Sequence, residues 1–198
     1  MPVSHHAHRR FSDKLAFVLN NPIRQRLSPP ERLIAKFDIG PNDVVVDFGC
    51  GPGFYLITLA RVAGKVIGID TSSRMLELAA NQAKKNTVTV ELLQSNGTDI
   101  RLPDNTVDLI VLVHVFHEVE EKATVLREFR RILKPGGRLA IVEKTRPDRM
   151  FPAVFSPPIV DPKEIVQDIQ QEGFGFRQAI PSGKDSIIIC ARQPPDNR

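Results

Sequence analysis

The run Val44-Val45-Val46-Asp47-Phe48, passing straight into Gly49-Cys50-Gly51-Pro52-Gly53, limits what this chain can fold into more than any other stretch. An unbroken apolar run of strand length, closed by an acid and a glycine cluster, is expected of a strand covered on both faces. Such strands belong to parallel sheets flanked by helices. The glycines that follow let the backbone turn sharply and approach a ligand closely, because they carry no Cβ.

The rest of the chain keeps to that plan, strand and helix alternating with short connections. Ser28-Pro29-Pro30-Glu31 opens a helix with Leu33, Ile34 and Phe37 on its apolar face. After the glycine loop, Phe54 to Ala63 reads as a helix ended by Gly64, and Lys65 to Asp70 as the second strand. A helix over Ser72 to Lys85, a strand over Val88 to Gln94 and a strand over Val107 to His114 follow. Glu121 to Lys134 carries Val125, Leu126, Phe129, Ile132 and Leu133 at helical spacing, and Pro135-Gly136-Gly137 stops it before a fifth strand, Arg138 to Lys144. Beyond a proline-rich loop, Asp161-Pro162-Lys163-Glu164 has the form of a capped helix start, and Gly173 ends that helix. Phe176 to Ile180 and Ser186 to Ala191 are expected to pair as a closing hairpin. The 198 residues accommodate one such domain, residues 28–198, behind an arm of residues 1–27.

The glycine loop alone is a weak signal, since dinucleotide enzymes use a related turn. In their G-x-G-x-x-G pattern the third glycine would fall at position 54, which here is Phe54. An acid, Asp47, also precedes Gly49 by two residues, where it can accept from a ligand ammonium. S-adenosylmethionine (SAM) has such a group and NAD does not. Asp70 closes the second strand, where a carboxylate can accept from both hydroxyls of a ribose; that feature is common to NAD and SAM sites.

Four blocks in order, VVVDFGCGPGF, VIGIDTSSRML, LPDNTVDLIVLVHVFHEV and LREFRRILKPGGRLAIVE, resemble the class I SAM-dependent methyltransferases. The likeness is greatest to the small-molecule, type 11 branch that includes the ubiquinone and menaquinone methyltransferases. The resemblance implies an α/β fold, a Rossmann-like three-layer α/β/α sandwich with a seven-stranded, mostly parallel sheet whose last strand is antiparallel. It implies SAM as cofactor, with Asp47, Gly49, Gly51 and Gly53 lining its methionine part and Asp70 its ribose. Thr71 and Met75 match positions flanking the adenine. The family often has Gly-Asp-Ala after the third strand; here Gly97-Thr98-Asp99 displaces the acid by one, so either Thr98 or Asp99 takes that place. His114 and Val115 match positions beside the methionine and the sulfonium.

His114, His117 and Glu118 stand close together where the fourth strand meets its loop, in a spacing that fits no standard zinc motif, so no metal is expected. His117 is a candidate proton acceptor, or simply part of the loop. Glu143 ends the fifth strand at the carboxyl edge, where it either serves the acceptor or pairs with Lys144 or Arg146. Cys50 and Cys190 are too few for a disulfide framework, and arsenite chemistry is disfavoured with them. No stretch has the length of a membrane span and no secretory leader is visible, so a cytoplasmic protein is expected.

The formal net charge of +4 is carried by the N-terminal part, where Met1 to Lys36 holds seven basic and two acidic residues. A small-molecule acceptor is favoured. A methylase of RNA or protein using the basic arm, and a SAM-binding protein without catalysis, are the alternatives. Base-stacking aromatics are sparse, with one Tyr and no Trp.

Overall fold

A computed structural model describes residues 29–146 and 158–193. Seven strands form one sheet in the order β3-β2-β1-β4-β5-β7-β6. These are β1 (Val44–Phe48), β2 (Lys65–Asp70), β3 (Glu91–Gln94), β4 (Val107–Val113), β5 (Leu133–Lys144), β6 (Phe174–Ser182) and β7 (Asp185–Arg192). The first five are parallel; β7 runs antiparallel to both β5 and β6. The seven-stranded, Rossmann-like sheet with an antiparallel last strand is the expected one, and the closing hairpin forms.

Neighbouring side chains of the central strands point to opposite faces, and each face has its own core. Val46 and Phe48 join Val125, Leu126, Phe129 and Ile132 of α4 (Lys122–Ile132) and Ile165 and Ile169 of α5 (Pro162–Gln171). Val45 instead joins Ile34 of α1 (Pro30–Ile34), Leu56 and Leu59 of α2 (Leu56–Leu59) and Ala79 of α3 (Ser73–Lys85). Two helical layers therefore enclose the sheet.

Several boundaries differ from the sequence expectation. The helix expected over Phe54–Ala63 is regular only over Leu56–Leu59. Its last turn tightens as Arg61 N donates to Thr58 O and Val62 N to Leu59 O, and Gly64 N leaves to bond Asp43 O. The third strand begins at Glu91 rather than Val88, because only Glu91–Gln94 find partners on β2. The Pro135-Gly136-Gly137 break is an excursion within β5, because Leu133 already pairs with Val107 before Arg138 resumes with Leu109.

The last helix starts as its sequence dictates. Asp161 accepts a bond from Lys163 N at 2.9 Å, with Pro162 at the first helical position. Asp161→Ala is expected to lower stability by about 1 kcal/mol, read as a shift of the urea midpoint at constant slope.

Candidate cofactor and acceptor site

Because β1, β2, β4 and β5 are parallel and β7 opposes them, their functional ends meet along one edge of the sheet. Asp47, Asp70, His114, Glu143 and Asp185 all lie there. This is the carboxyl edge, where open α/β sheets bind ligands.

At its centre the glycine turn is tied to the neighbouring strand. Gly49 N and Cys50 N both donate to Ile69 O, at 2.7 and 3.0 Å. Gly51 N donates to Asp70 Oδ2 at 2.8 Å, and Ser72 N to Asp70 Oδ1 at 2.9 Å. Asp70 thus fixes the turn while its oxygens keep further lone pairs. The cap of α3 is Ser72, whose Oγ accepts from Met75 N, so Asp70 is not needed there.

Gly49 and Gly51 both have left-handed backbone, φ 72° and 52°. A Cβ at Gly49 would lie 2.5 Å from Val115 Cγ2, whereas one at Gly51 would project into open space. Gly53 serves packing: its Cβ position is 3.3 Å from the backbone of Ala79 in α3. With α2 reduced to one turn beginning at Leu56, the open backbone at this point of the edge belongs to the glycine turn.

Asp47 is buried, and its Oδ2 has no hydrogen-bond partner among the described residues. Burial, reinforced by the negative charge of Asp70, pushes its carboxyl up to about 7. A buried, unsatisfied carboxylate is costly unless something cationic meets it. With Asp70 beside it and open space at Gly51, the residues present fit a ligand that carries an ammonium group and a ribose.

Thr71 is exposed and Met75 is buried on the first turn of α3. In the loop after β3, Asn96 Oδ1 accepts from both Thr98 N and Thr98 Oγ1 at 3.1 and 2.8 Å, while Asp99 is exposed. The loop is held from α4, where Glu128 accepts from Ile100 N and Arg131 donates to Ile100 O and Leu102 O.

At the ends of β4 and β5, Glu143 is fully buried and bonds His117 twice, His117 N to Oε1 at 3.2 Å and Nδ1 to Oε2 at 2.9 Å. His117 is thereby its hydrogen-bond partner, a pairing outside the two readings of the sequence, service to the acceptor or an ion pair with Lys144 or Arg146. His114 has φ 57°, with its Nδ1 4.0 Å from Glu143 Oε2 and its Nε2 3.5 Å from Asp185 Oδ2. The Cys50 thiol is buried and pushed well above its ordinary value, which suits filler and not a nucleophile. No group of three or more potential ligands is placed to hold a metal ion among the described residues.

Ser72, Asn96 and Asp185 were not singled out from the sequence. Ser72 had a visible signal, a serine immediately before a helix. Asp185 had none, since only the reversal of β7 brings it beside His114.

Comparison with known proteins accords with this geometry. A family model described as a methyltransferase domain matches residues 46–141. The 2-phytyl-1,4-naphtoquinone methyltransferase of Synechococcus elongatus is 33% identical over 162 residues, covering 76% of this chain and 70% of that protein. The chain belongs to the class I SAM-dependent methyltransferases. S-adenosylmethionine is accordingly its cofactor. The demethylmenaquinone methyltransferase of Lactiplantibacillus plantarum is 35% identical over 124 residues, covering 60% of this chain. The chain spans only about half, 52%, of that relative's length. A SAM-dependent methyltransferase from Aquifex aeolicus superposes with a TM-score of 0.83 at 29% identity, covering 92% of this chain and all of that one.

Residues 1–27, His5, His6 and His8 among them, lie outside the described residues, as do Phe151 and Phe155 of the proline-rich loop. Among the described residues no helix is long and apolar enough to cross a membrane.

Proposed function

We propose that this chain transfers the methyl group of SAM to a small-molecule acceptor at the carboxyl edge of its sheet. The observation that carries this reading is the buried Oδ2 of Asp47, without a hydrogen-bond partner among the described residues, behind a glycine turn pinned to Asp70. Asp47 receives the ammonium group, and Gly49, Gly51 and Gly53 shape the methionine cradle. Asp70 accepts from the ribose. Thr71 and Met75 flank the adenine, with Thr98 or Asp99 at its amino edge, and His114 and Val115 stand beside the sulfonium.

When bound, SAM supplies an electrophilic methyl group on a cationic sulfur leaving group. The protein's part is to align the acceptor with that methyl and exclude water. Residues 28–198 form the methyltransferase domain behind the arm of residues 1–27, and the protein works in the cytoplasm. A small acceptor is supported by the quinone substrates in the names of the two relatives. RNA or protein as acceptor is supported by no feature of the described residues.

The test is calorimetric titration with SAM and S-adenosylhomocysteine, alongside Asp70→Ala. The variant is expected to bind roughly ten- to a hundredfold more weakly, which corresponds to about 1.4 to 2.8 kcal/mol. Unchanged affinity in a folded variant would remove Asp70 from the site. Tight binding without methyl transfer to any small acceptor would favour a non-catalytic SAM-binding protein.

A further inference from the structure

The loop of residues 95–106, between β3 and β4, has no regular structure, yet it is fastened at several points. It leaves the sheet beside Asp70. Gln94 is paired with Asp70 in the register of β2 and β3, Ser95 N donates to Asp70 O at 3.1 Å, and Gln94 Nε2 to Thr71 O at 2.9 Å. The buried Gly97, with φ 90°, then presses the loop onto the end of β1. A Cβ there would lie 2.7 Å from Phe48 Cζ and 3.0 Å from Val125 Cγ1. Phe48 directly precedes the glycine turn, so the loop stands beside both Asp70 and that turn.

The loop is clamped from α4. Ile100 is held at both of its backbone atoms, its N donating to Glu128 Oε2 at 3.0 Å and its O accepting from Arg131 Nη2 at 2.7 Å. Arg131 Nη1 donates to Leu102 O at 2.9 Å and to Asp104 Oδ1 at 2.6 Å. Arg131 Nε and Nη2 donate to Oε1 and Oε2 of Glu128, each at 2.8 Å. These five bonds match the five N–H donors of a guanidinium. The pairing with Arg131 in turn holds the Glu128 carboxyl below its ordinary range. One turn of the same helix catches the chain again, as Asn105 N donates to Arg131 O and Thr106 N to Ile132 O.

Part of this the fold requires. Ile100 is buried, so its N–H and C=O need partners. Leu102 is only half-buried and Asp104 is exposed, so burial does not demand the bonds to them. Those bonds fix where the loop points. Residues 95–99 are also tied to one another: Gly97 N donates to Ser95 Oγ, Ser95 Oγ to Asp99 O, and Thr98 N and Oγ1 both to Asn96 Oδ1. The tip is therefore one piece, set at its angle by the anchor that follows it.

We infer that Arg131, supported by Glu128, is a positioning residue that determines base specificity: it holds residues 95–102 rigid beside Asp70, so that they accept the 6-amino edge of adenine and reject a 6-oxo purine. This rests on the cofactor site proposed above, in which the ribose lies at Asp70 and Thr98 or Asp99 meets the amino edge of the base. Arg131 acts only through the loop. The amino group of adenine donates, whereas the 6-oxo group of hypoxanthine accepts and its neighbouring ring nitrogen donates. A loop free to move can rearrange its polar groups for either edge. A fixed loop cannot, so the wrong base leaves polar groups unpaired. It also spends no ordering entropy when the right base arrives.

The test is calorimetry on the full chain with two probes, S-adenosylhomocysteine and S-inosylhomocysteine, which differ at that edge alone. The wild type should favour the adenosyl compound by at least about tenfold. Arg131→Met keeps the apolar stem and removes all five donors. It should weaken S-adenosylhomocysteine roughly tenfold and change S-inosylhomocysteine by less than about twofold, so the preference falls towards one. Arg131→Lys should do the same, because a compact ammonium cannot replace the planar fork. Glu128→Gln leaves the guanidinium on the loop carbonyls and should lower the preference by a smaller factor. That variant decides the matter by the same ratio if Arg131→Met fails to fold. An equal loss for both probes means that Arg131 only supports the fold, and overturns the inference, as does a preference left unchanged. A wild type that binds both probes equally overturns the reading of the base by this loop. No binding of S-adenosylhomocysteine to the wild type overturns the functional reading itself.

Discussion

Gly49→Ala is expected to cost about 2 to 5 kcal/mol of stability and to weaken SAM binding at least tenfold. Two effects add. The residue has φ 72°, a conformation that costs a side chain with a Cβ roughly 1 to 2 kcal/mol. The new methyl would also lie 2.5 and 2.6 Å from the two methyls of Val115, and overpacking of that kind costs about 1 to 3 kcal/mol. The turn cannot move aside easily, because Gly49 N and Cys50 N share the Ile69 carbonyl and Gly51 N is held by Asp70. Urea unfolding measures the loss. Adding Val115→Ala should relieve most of the steric part, with its Cβ still 3.1 Å away, and leave the backbone part, so the two substitutions should couple favourably. A loss under about 1 kcal/mol for Gly49→Ala alone would mean the turn is looser than described.

The second large effect belongs to Asp47 and is one of pH. Burial lifts its carboxyl from the ordinary 3.8 to about 7 in the folded chain, with Asp70 adding to the shift. Below about pH 4 both folded and unfolded states hold the proton, and the group costs nothing. Between there and pH 7 the unfolded chain releases it while the folded chain retains it, so stability falls as pH rises. Above pH 7 the full cost is present, on the order of 4 kcal/mol at about 1.4 kcal/mol for each tenfold in the ionisation constant. Asp47→Asn removes this dependence. Its stability relative to the wild type should improve by roughly 2 kcal/mol between pH 5.5 and pH 8, whatever its constant offset. Parallel slopes of stability against pH in the two proteins would sink the idea.

The same carboxyl should make cofactor binding proton-linked. A cationic ammonium favours the ionised form of Asp47, so SAM binding near pH 6 should release close to one proton, and affinity should fall as the solution is acidified. Calorimetry in two buffers of different ionisation enthalpy counts that proton. Asp47→Asn should lose both the proton release and much of the affinity. A folded state made less stable in order to hold a ligand is the usual relation between function and stability.

Much of this protein was legible in the order of its residues, because it depends on local physics. A run of valines closed by glycines has no stable place outside a covered strand and its turn, so β1 and the glycine loop were readable at once. Asp70 at the end of KVIGID, the stripe Val125–Leu126–Phe129–Ile132 and the Asp161-Pro162 helix start are equally local, since each is set by residues within a turn or two.

What only the tertiary structure decided involves partners far apart in the chain. The extent of β3 and β5 followed from which residues of β2 and β4 were opposite them, and a propensity carries no such information. Glu143 stands beside Lys144 in sequence but chose a histidine 26 positions earlier. That choice comes from the parallel pairing of β4 with β5, which sets the end of one strand against the loop of the other. The reversal of β7 likewise put Asp185 against His114. The sequence alone determined that a covered strand would end in a glycine turn after β1. The sheet determined which acids and imidazoles would meet beside that turn, because long-range strand pairing, and not local preference, sets what meets at a sheet's edge.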